Sequence, residues 1–320
     1  MSIICTGSIA FDYLMSFPGY FKDHIIPEKL DSISLSFLVD SMVRQRGGTA
    51  PNIAFTLALL GATPKLMGTV GEDFGDYRTW LEKQGVDTGL VRTISGVFTA
   101  SFFANTDLSN NQIASFYTGA MAYAKELTLH TLDKNEIDMV VISPNDPEAM
   151  RKYSEECRSL NIPYLYDPGQ QVVRSSPEEI RDGILNAESL FINEYEFELI
   201  QKHTKMSSQE ICHAVEYVVV TCGECGSDIW VKDDYFHIPS VSPRKTADPT
   251  GVGDAFRGGF LRGKCLDLDW QTCGQMGALA ATYCLEKRGT QNHRYTRIEF
   301  VQRYRQNFDD NGTLDRLIEK

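Results

Sequence analysis

Positive charge is scarce in this chain. Lys and Arg number 31 against 43 Asp and Glu, which leaves a net charge of −12 and a pI near 5.0. That balance argues against nucleic acid or an anionic membrane surface as a general partner. A polyanion would have to be held locally, by backbone N–H groups, a few Arg or Lys and Mg²⁺. Long apolar runs are also missing: none approaches the roughly 20 residues of a membrane helix. Met1 to Phe11 has no basic start and no extended apolar core, so no targeting segment is expected there. The eight cysteines stand singly apart from Cys222-Gly-Glu-Cys225. With no second pair and no His pair at ligand spacing, zinc or redox chemistry is disfavoured, and a reducing cytoplasm is the expected compartment. No internal repeat, low-complexity stretch or long linker appears.

What is present centres on Asp248-Pro249-Thr250-Gly251-Val252-Gly253-Asp254-Ala255-Phe256. A small-residue loop here runs into a helix expected over Ala255 to Lys264. Converging N–H groups and the positive end of the helix make a site for an anion, most readily a phosphate. Asp254 would repel a resting phosphate. It makes sense there as a base that takes a proton while charge develops on a phosphoryl group. The alternative is an ordinary acidic helix start. The loop lacks the Gly-Lys-Ser/Thr ending of a P-loop. Phe256 stands where the dinucleotide fingerprint has its third glycine, which disfavours a nicotinamide-dependent oxidoreductase.

Taken in order, Ile3 to Gly7 reads as a buried strand with Ser8 and Asp12 just past its end. In an open α/β sheet, ligands bind outside the C-terminal ends of strands. Leu35 to Val39 reads as a strand leading to Arg46-Gly47-Gly48, after which a helix is expected from Asn52 to Leu60. Lys65 to Val70 is a strand and Phe74 to Gln84 a helix. Phe98 to Ala104 and Gln112 to Tyr117 then form a hairpin with no helix between its strands. Phe102 and Phe116 could pack on the body, or could stack on a planar substrate. From Asp138 onward, strands at 139–142, 164–166, 189–192 and 217–221 alternate with helices at 148–160, 178–187 and 194–203. A helix over Trp270 to Glu286 follows. That alternation implies a mostly parallel sheet covered by helices on both faces, three layers in all, with a small separate sheet. The length allows one large α/β domain with an insertion, or two domains.

Asp167-Pro168-Gly169-Gln170-Gln171, Asn193-Glu194-Tyr195-Glu196 and Thr221-Cys222-Gly223-Glu224-Cys225-Gly226 each follow a strand, so each points at the edge that carries Asp254.

The stretch ending in Gly-Val-Gly-Asp-Ala-Phe resembles the second signature of the ribokinase-like (PfkB-type) sugar and nucleoside kinases, with Pro249 and Val252 as mild departures. Arg46-Gly47-Gly48 with Asn52 resembles the first signature, and the turn at Thr221 resembles a third motif. The resemblance covers nearly the whole chain, and several stretches look closest to bacterial adenosine kinases. It implies a single domain over residues 1–320, with lid segments at about 12–46 and 96–119. It implies ATP-dependent phosphorylation of the 5′-hydroxyl of a purine nucleoside, adenosine first, in the manner of purine salvage. Asp254 would be the base, with Gly251, Val252 and Gly253 forming the anion hole. Ser8, Asp12, Gly48 and Asn52 would hold the ribose. Phe102 and Phe116 would sandwich the base, and Gln170 or Gln171 would lie beside it. Ser36 and Phe37 would come from the lid across a homodimer interface. Asn193, Glu196, Thr221, Gly223, Gly226 and Gln291 would line the nucleotide. Glu196 would hold Mg²⁺ through water and Asp248 would lie near K⁺. Rival readings are a sugar kinase of the same fold and an inactive nucleotide-binding regulator.

Overall fold

Short apolar runs such as Met139-Val-Val-Ile142 and Tyr217-Val-Val-Val220 are buried along their whole length, as parallel strands covered on both faces must be. The structure is a computed structural model that describes residues 2–32 and 34–319; Met1, Ile33 and Lys320 lie outside the described residues. Its strands are β1 (Ile3–Thr6), β2 (Ala10–Ser16), β3 (Ser41–Gly47), β4 (Lys65–Val70), β5 (Asp87–Thr93), β6 (Ala100–Thr106), β7 (Gln112–Tyr117), β8 (Met139–Ile142), β9 (Tyr164–Tyr166), β10 (Ser189–Asn193), β11 (Tyr217–Thr221), β12 (Ser227–Val231) and β13 (Asp234–Ile238). The helices are α1 (Thr49–Leu59), α2 (Gly75–Lys83), α3 (Pro147–Leu160), α4 (Pro177–Leu185), α5 (Glu194–Thr204), α6 (Ser208–Ala214), α7 (Val252–Cys265), α8 (Trp270–Leu285), α9 (Arg297–Tyr304) and α10 (Asp315–Ile318).

Among the described residues the larger sheet has the order β13-β12-β11-β10-β9-β8-β1-β4-β5. It is parallel from β5 to β11, and β12 and β13 pair antiparallel at one edge. The two-residue side-chain period sends Ile3 and Cys5 to one apolar layer and Ile4 to the other. Helices α1, α7 and α8 close the first layer, and α3, α4 and α5 close the second. This is the helix-covered, mostly parallel sheet expected from the alternation of strands and helices.

A second sheet, ordered β3-β2-β6-β7, stands apart. The hairpin expected over Phe98 to Ala104 and Gln112 to Tyr117 is present as β6 and β7, with β6 starting two residues later, at Ala100. The strand expected at Leu35 to Val39 is not: those residues are irregular, and β3 begins at Ser41. Phe37 explains the shift, because its ring packs edge-on against Phe17 and Phe21 at 5.0 and 4.9 Å. That cluster curls the segment away from β2. Strands β2, β5, β12 and β13 and helix α6 add to the elements expected from the sequence.

Local signals set the helix starts that matter here. Asn193 and Glu196 cap each other's backbone N–H at the start of α5. Gly48 caps α1 at φ +96°, and a side chain there would strike the Ser8 carbonyl. Helix α1 accordingly begins at Thr49, ahead of the expected Asn52.

Candidate active site

The C-terminal ends of β1, β8, β9, β10 and β11 bring Ser8, Asn145, Asp167, Asn193 and Thr221 to one edge of the large sheet. Helix α7 points its N-terminus at the same edge. Gly251 caps it at φ +77°, a left-handed conformation, and Thr290 Cγ2 lies only 2.8 Å from where a Gly251 Cβ would be. Glycine alone suits both demands. The first-turn N–H groups of Gly253 and Asp254 have no acceptor within the helix, which is what an anion hole requires.

Asp254 sits in that first turn, half-buried. Asn52 Nδ2 donates to its Oδ2 at 2.8 Å. The pair depends on close approach of α1 and α7. Gly258, one turn beyond Asp254, lies against Thr56, one turn beyond Asn52, and a Cβ on Gly258 would sit 2.6 Å from Thr56 Cβ. Burial raises the Asp254 carboxyl to about 6, while Arg257 and the Asn52 amide pull it back down. Asp12 is also pushed to about 6, by burial and then by Asp248 and Asp254. The two carboxylates therefore share one space, although they come from different parts of the fold.

Arg257 is a site residue that the sequence reading does not single out. It lies three residues after Asp254, and its guanidinium sits 2.9 Å from where a Gly253 side chain would begin. It is buried in an ion pair with Asp167 at 2.7 Å. Burial raises the Asp167 carboxyl, and Arg257 opposes the rise. A fixed cation under the glycine loop offsets the carboxylates that surround it: Asp254, Asp167 and Glu196. The spacing Asp-Ala-Phe-Arg places Arg257 on the face of Asp254, which is the one signal the sequence carries for it.

Other expected residues fall into four groups. Asn52 bonds Asp254 and Asp12 feels its charge, while Gly48 lies against the Ser8 carbonyl and Ser8 Oγ accepts from the Thr49 N–H at 3.3 Å. Asn193 and Glu196 form a reciprocal helix cap, so the alternative structural role is present in full. Glu196 still acts electrostatically on Asp254 and Asp167. Thr221, Gly223 and Gly226 form the turn after β11, with both glycines at positive φ. Asp248 uses both oxygens on backbone, accepting from Thr250 N–H at 2.9 Å and Gly289 N–H at 3.0 Å.

Three placements differ from expectation, and a fourth, that of Ser36 and Phe37, is expected only across a homodimer interface. Gln291 is only 2% exposed, and its amide is engaged by Asn52, Tyr77 and Trp80, so it stands behind the site and not against a nucleotide. Gln171 is buried with Nε2 on the Asn145 carbonyl, leaving Gln170 as the exposed member of that pair. Phe102 and Phe116 are direct cross-strand partners in register with Asp12, so they share one face as a platform and do not form two opposed walls. Ser36 and Phe37 are not brought to the site within one chain. Phe37 packs on Phe17, one residue past the end of β2 and five beyond Asp12, roughly 17 Å at the usual rise per residue.

Among the described residues, no three His, Cys, Asp or Glu side chains gather as a metal site, and no helix is long and apolar enough to cross a membrane. All eight cysteines are free.

Comparison with known proteins joins this geometry to a family. Residues 20–297 match the family described as pfkB family carbohydrate kinase. A nucleoside kinase of Methanocaldococcus jannaschii is 30% identical over 303 residues, covering 94% of this chain and 96% of the relative. A nucleoside kinase of Burkholderia thailandensis, solved in complex with inosine, superposes with a TM-score of 0.84 at 34% identity, covering 96% of this chain and 99% of that one. The same enzyme in complex with ADP-inosine gives a TM-score of 0.81 at 35% identity, with 96% of each chain covered. A glycine loop at a helix start, a half-buried Asp in its first turn and matches spanning nearly the whole chain lead to one assignment: the protein belongs to the pfkB family of carbohydrate kinases and has their ribokinase-like fold.

Proposed function

We propose that the protein transfers the γ-phosphoryl group of ATP to the 5′-hydroxyl of a purine nucleoside, with adenosine the first substrate to test. The observation that carries the nucleoside reading is the row Asp12, Phe102 and Phe116 across the small sheet, whose Asp12 feels the charge of Asp254. A carboxylate for a hydroxyl pair and, beside it, a platform of two rings suit a ribose carrying a flat base. A bare sugar needs the first and not the second. Relatives named nucleoside kinase, one of them solved with inosine bound, support the same reading.

Phosphoryl transfer has a loose transition state, so the chain mainly positions groups and stabilises charge. Asp254 takes the proton of the 5′-hydroxyl. The Gly251 to Asp254 amides meet the charge on the γ-phosphoryl group, and Arg257, fixed by Asp167, limits repulsion between that charge and the surrounding carboxylates. Ser8, Asp12, Gly48 and Asn52 hold the ribose, with Gln170 near the base. Asn193, Thr221, Gly223 and Gly226 face the nucleotide. Mg²⁺ bound with ATP would offset the negative charge of its phosphates. Glu196, with one carboxylate oxygen left over from its cap, has the chemistry to hold that ion through water. Asp248 and the loop it ties to Gly289 would be the place for K⁺. The small sheet closes over the nucleoside as a lid and keeps water from the phosphoryl group. Its outer face carries Met42, Phe103, Ile113 and Tyr117, all exposed, and a homodimer would pair there. Such pairing is also the route by which Ser36 and Phe37 of one protomer could reach the other's site.

ADP release measured with adenosine, inosine, guanosine, cytidine and ribose in parallel tests the reading. Turnover with ribose as fast as with any nucleoside would replace it with a sugar kinase, and no acceptor-dependent release would point to an inactive regulator.

A further inference from the structure

Behind Asp254 runs a chain of hydrogen bonds whose far links, Trp80, Gln291 and Tyr77, have no part in the proposed reaction. Trp80 Nε1 donates to Gln291 Oε1 at 3.3 Å. Gln291 Nε2 donates to Asn52 Oδ1 at 2.9 Å and also to the Tyr77 hydroxyl. Asn52 Nδ2 then donates to Asp254 Oδ2. We propose that Trp80 and Gln291 are positioning residues that fix the polarity of this chain, so that Asp254 Oδ2 is held as an acceptor and Oδ1 is reserved for the substrate hydroxyl. The proposal rests on the reading of Asp254 as the base.

An indole N–H can only donate, so it sets the direction of everything downstream. Gln291 must turn its oxygen to Trp80 and its two N–H groups the other way. Tyr77 gives an independent check. Its hydroxyl donates to the Gly47 carbonyl at 3.0 Å, so it is free to accept from Gln291 and agrees with that orientation. Asn52 must then offer its oxygen to Gln291 and its N–H to Asp254. Gln291 is buried, so no solvent is at hand to satisfy a flipped amide. Trp80 itself is held between two cations, with the Arg46 and Arg294 guanidinium carbons 4.1 and 4.6 Å from its ring centre. A proton on Oδ2 would meet the Asn52 N–H head-on. In the reaction the substrate O–H bond breaks, its proton goes to Oδ1, its electron pair forms the new bond to the γ-phosphorus, and ADP leaves with the electrons of the broken P–O bond.

The same links tie the hinge of the small sheet to the loop after α8. Tyr77 holds the Gly47 carbonyl, and Thr290 Oγ1 donates to the Arg46 carbonyl at 2.8 Å. The polarity of the base is therefore set by residues that also fix where the lid begins.

Gln291→Glu is the test. It keeps the shape and removes the donors, so Asn52 turns to donate to the introduced carboxylate and presents its oxygen to Asp254. Expected is a fall in kcat of about 10- to 100-fold, the lower range for disturbing a general base, with the acid limb of the kcat–pH profile moved upward by about one unit. Arg257 on α7 and Glu196 on α5, which act on Asp254, are left in place in this variant, as are Asp12 on β2, Asp167 after β9, Tyr77 on α2 and Cys284 on α8, on which Asp254 acts. Trp80→Phe, which keeps the ring and loses the N–H, is expected to lower kcat by roughly 3- to 10-fold in the same sense. In an Asn52→Leu background neither change should have a further effect, because Asn52 is the link from this chain to Asp254. An unmoved acid limb in Gln291→Glu, or effects that multiply with Asn52→Leu, overturn this proposal alone. Absence of nucleoside-dependent ADP release in the wild type overturns it together with the reading it rests on.

Discussion

The two sheets are built on opposite plans. The larger is buried on both faces, and its parallel strands present only their C-terminal ends, where the backbone is rigid and the helix starts converge. The smaller is open on both: Val43 and Phe116, 51% and 42% exposed, share the face of Asp12 and Phe102, and Met42 and Tyr117, 61% and 44% exposed, lie on the other. The contrast teaches a division of labour. Groups that must hold a fixed geometry, such as Asp254, Arg257 and Asn52, sit on the helices of the body. In the proposed function, the groups that choose the acceptor, Asp12, Phe102 and Phe116, sit on the separate small sheet.

Breaking the body side should cost most. Asp254→Asn is expected to lower kcat by about 10²- to 10⁴-fold while nucleoside binding is largely kept, as steady-state kinetics and calorimetry would show. The same variant tests the cost of placing a carboxylate there. A carboxyl raised to about 6 favours the folded state below its unfolded value, and that contribution is lost as pH rises through about 6. The amide escapes the loss, so Asp254→Asn should melt at a higher temperature than wild type at pH 8 and gain little near pH 4.

On the lid side, Phe102→Ala should raise the KM for a nucleoside by roughly 10-fold or more, the usual worth of one stacked base, and leave kcat nearly unchanged. An equal loss in kcat would place the ring in the chemistry and blur the division. Activity should also fall as pH drops below about 6, where Asp254 takes up its proton. A kcat/KM profile flat to pH 5 would contradict that. Ile113→Asp with Tyr117→Asp should shift a dimer to monomer in sedimentation, with a smaller loss of activity. Smallest is Asn193→Ala, which removes one half of a helix cap and should cost about 1 kcal/mol of stability.

Legibility follows the same division. Strands β4, β7, β8, β9 and β11 fall on the residues their sequence patterns predict; for β8, β9 and β11, burial on both faces leaves little freedom in composition. Strand β3 lies elsewhere than expected. Ser-Met-Val-Arg-Gln-Arg-Gly has no apolar alternation, and it is a strand because β2 pairs with it. The hairpin of β12 and β13 is hidden in the sequence because its two-residue turn, Lys232-Asp233, has no glycine; Lys232 itself takes the left-handed conformation at φ +55°. Asp254 and its glycine loop are legible because an anion-holding helix start demands contiguous residues there. The roles of Asp167, Tyr77, Trp80 and Gln291 are not, since each takes its meaning from a partner tens to hundreds of positions away.

By itself the sequence determined the alternating α/β body, the anion-holding helix start and the carboxylate within it, because those features depend on neighbours a few residues apart. Only the tertiary structure decided which oxygen of that carboxylate is tied down, that Gln291 stands behind the site, and that Phe102 and Phe116 share one face with Asp12. Hydrogen-bond direction and cross-strand register exist only once distant segments meet.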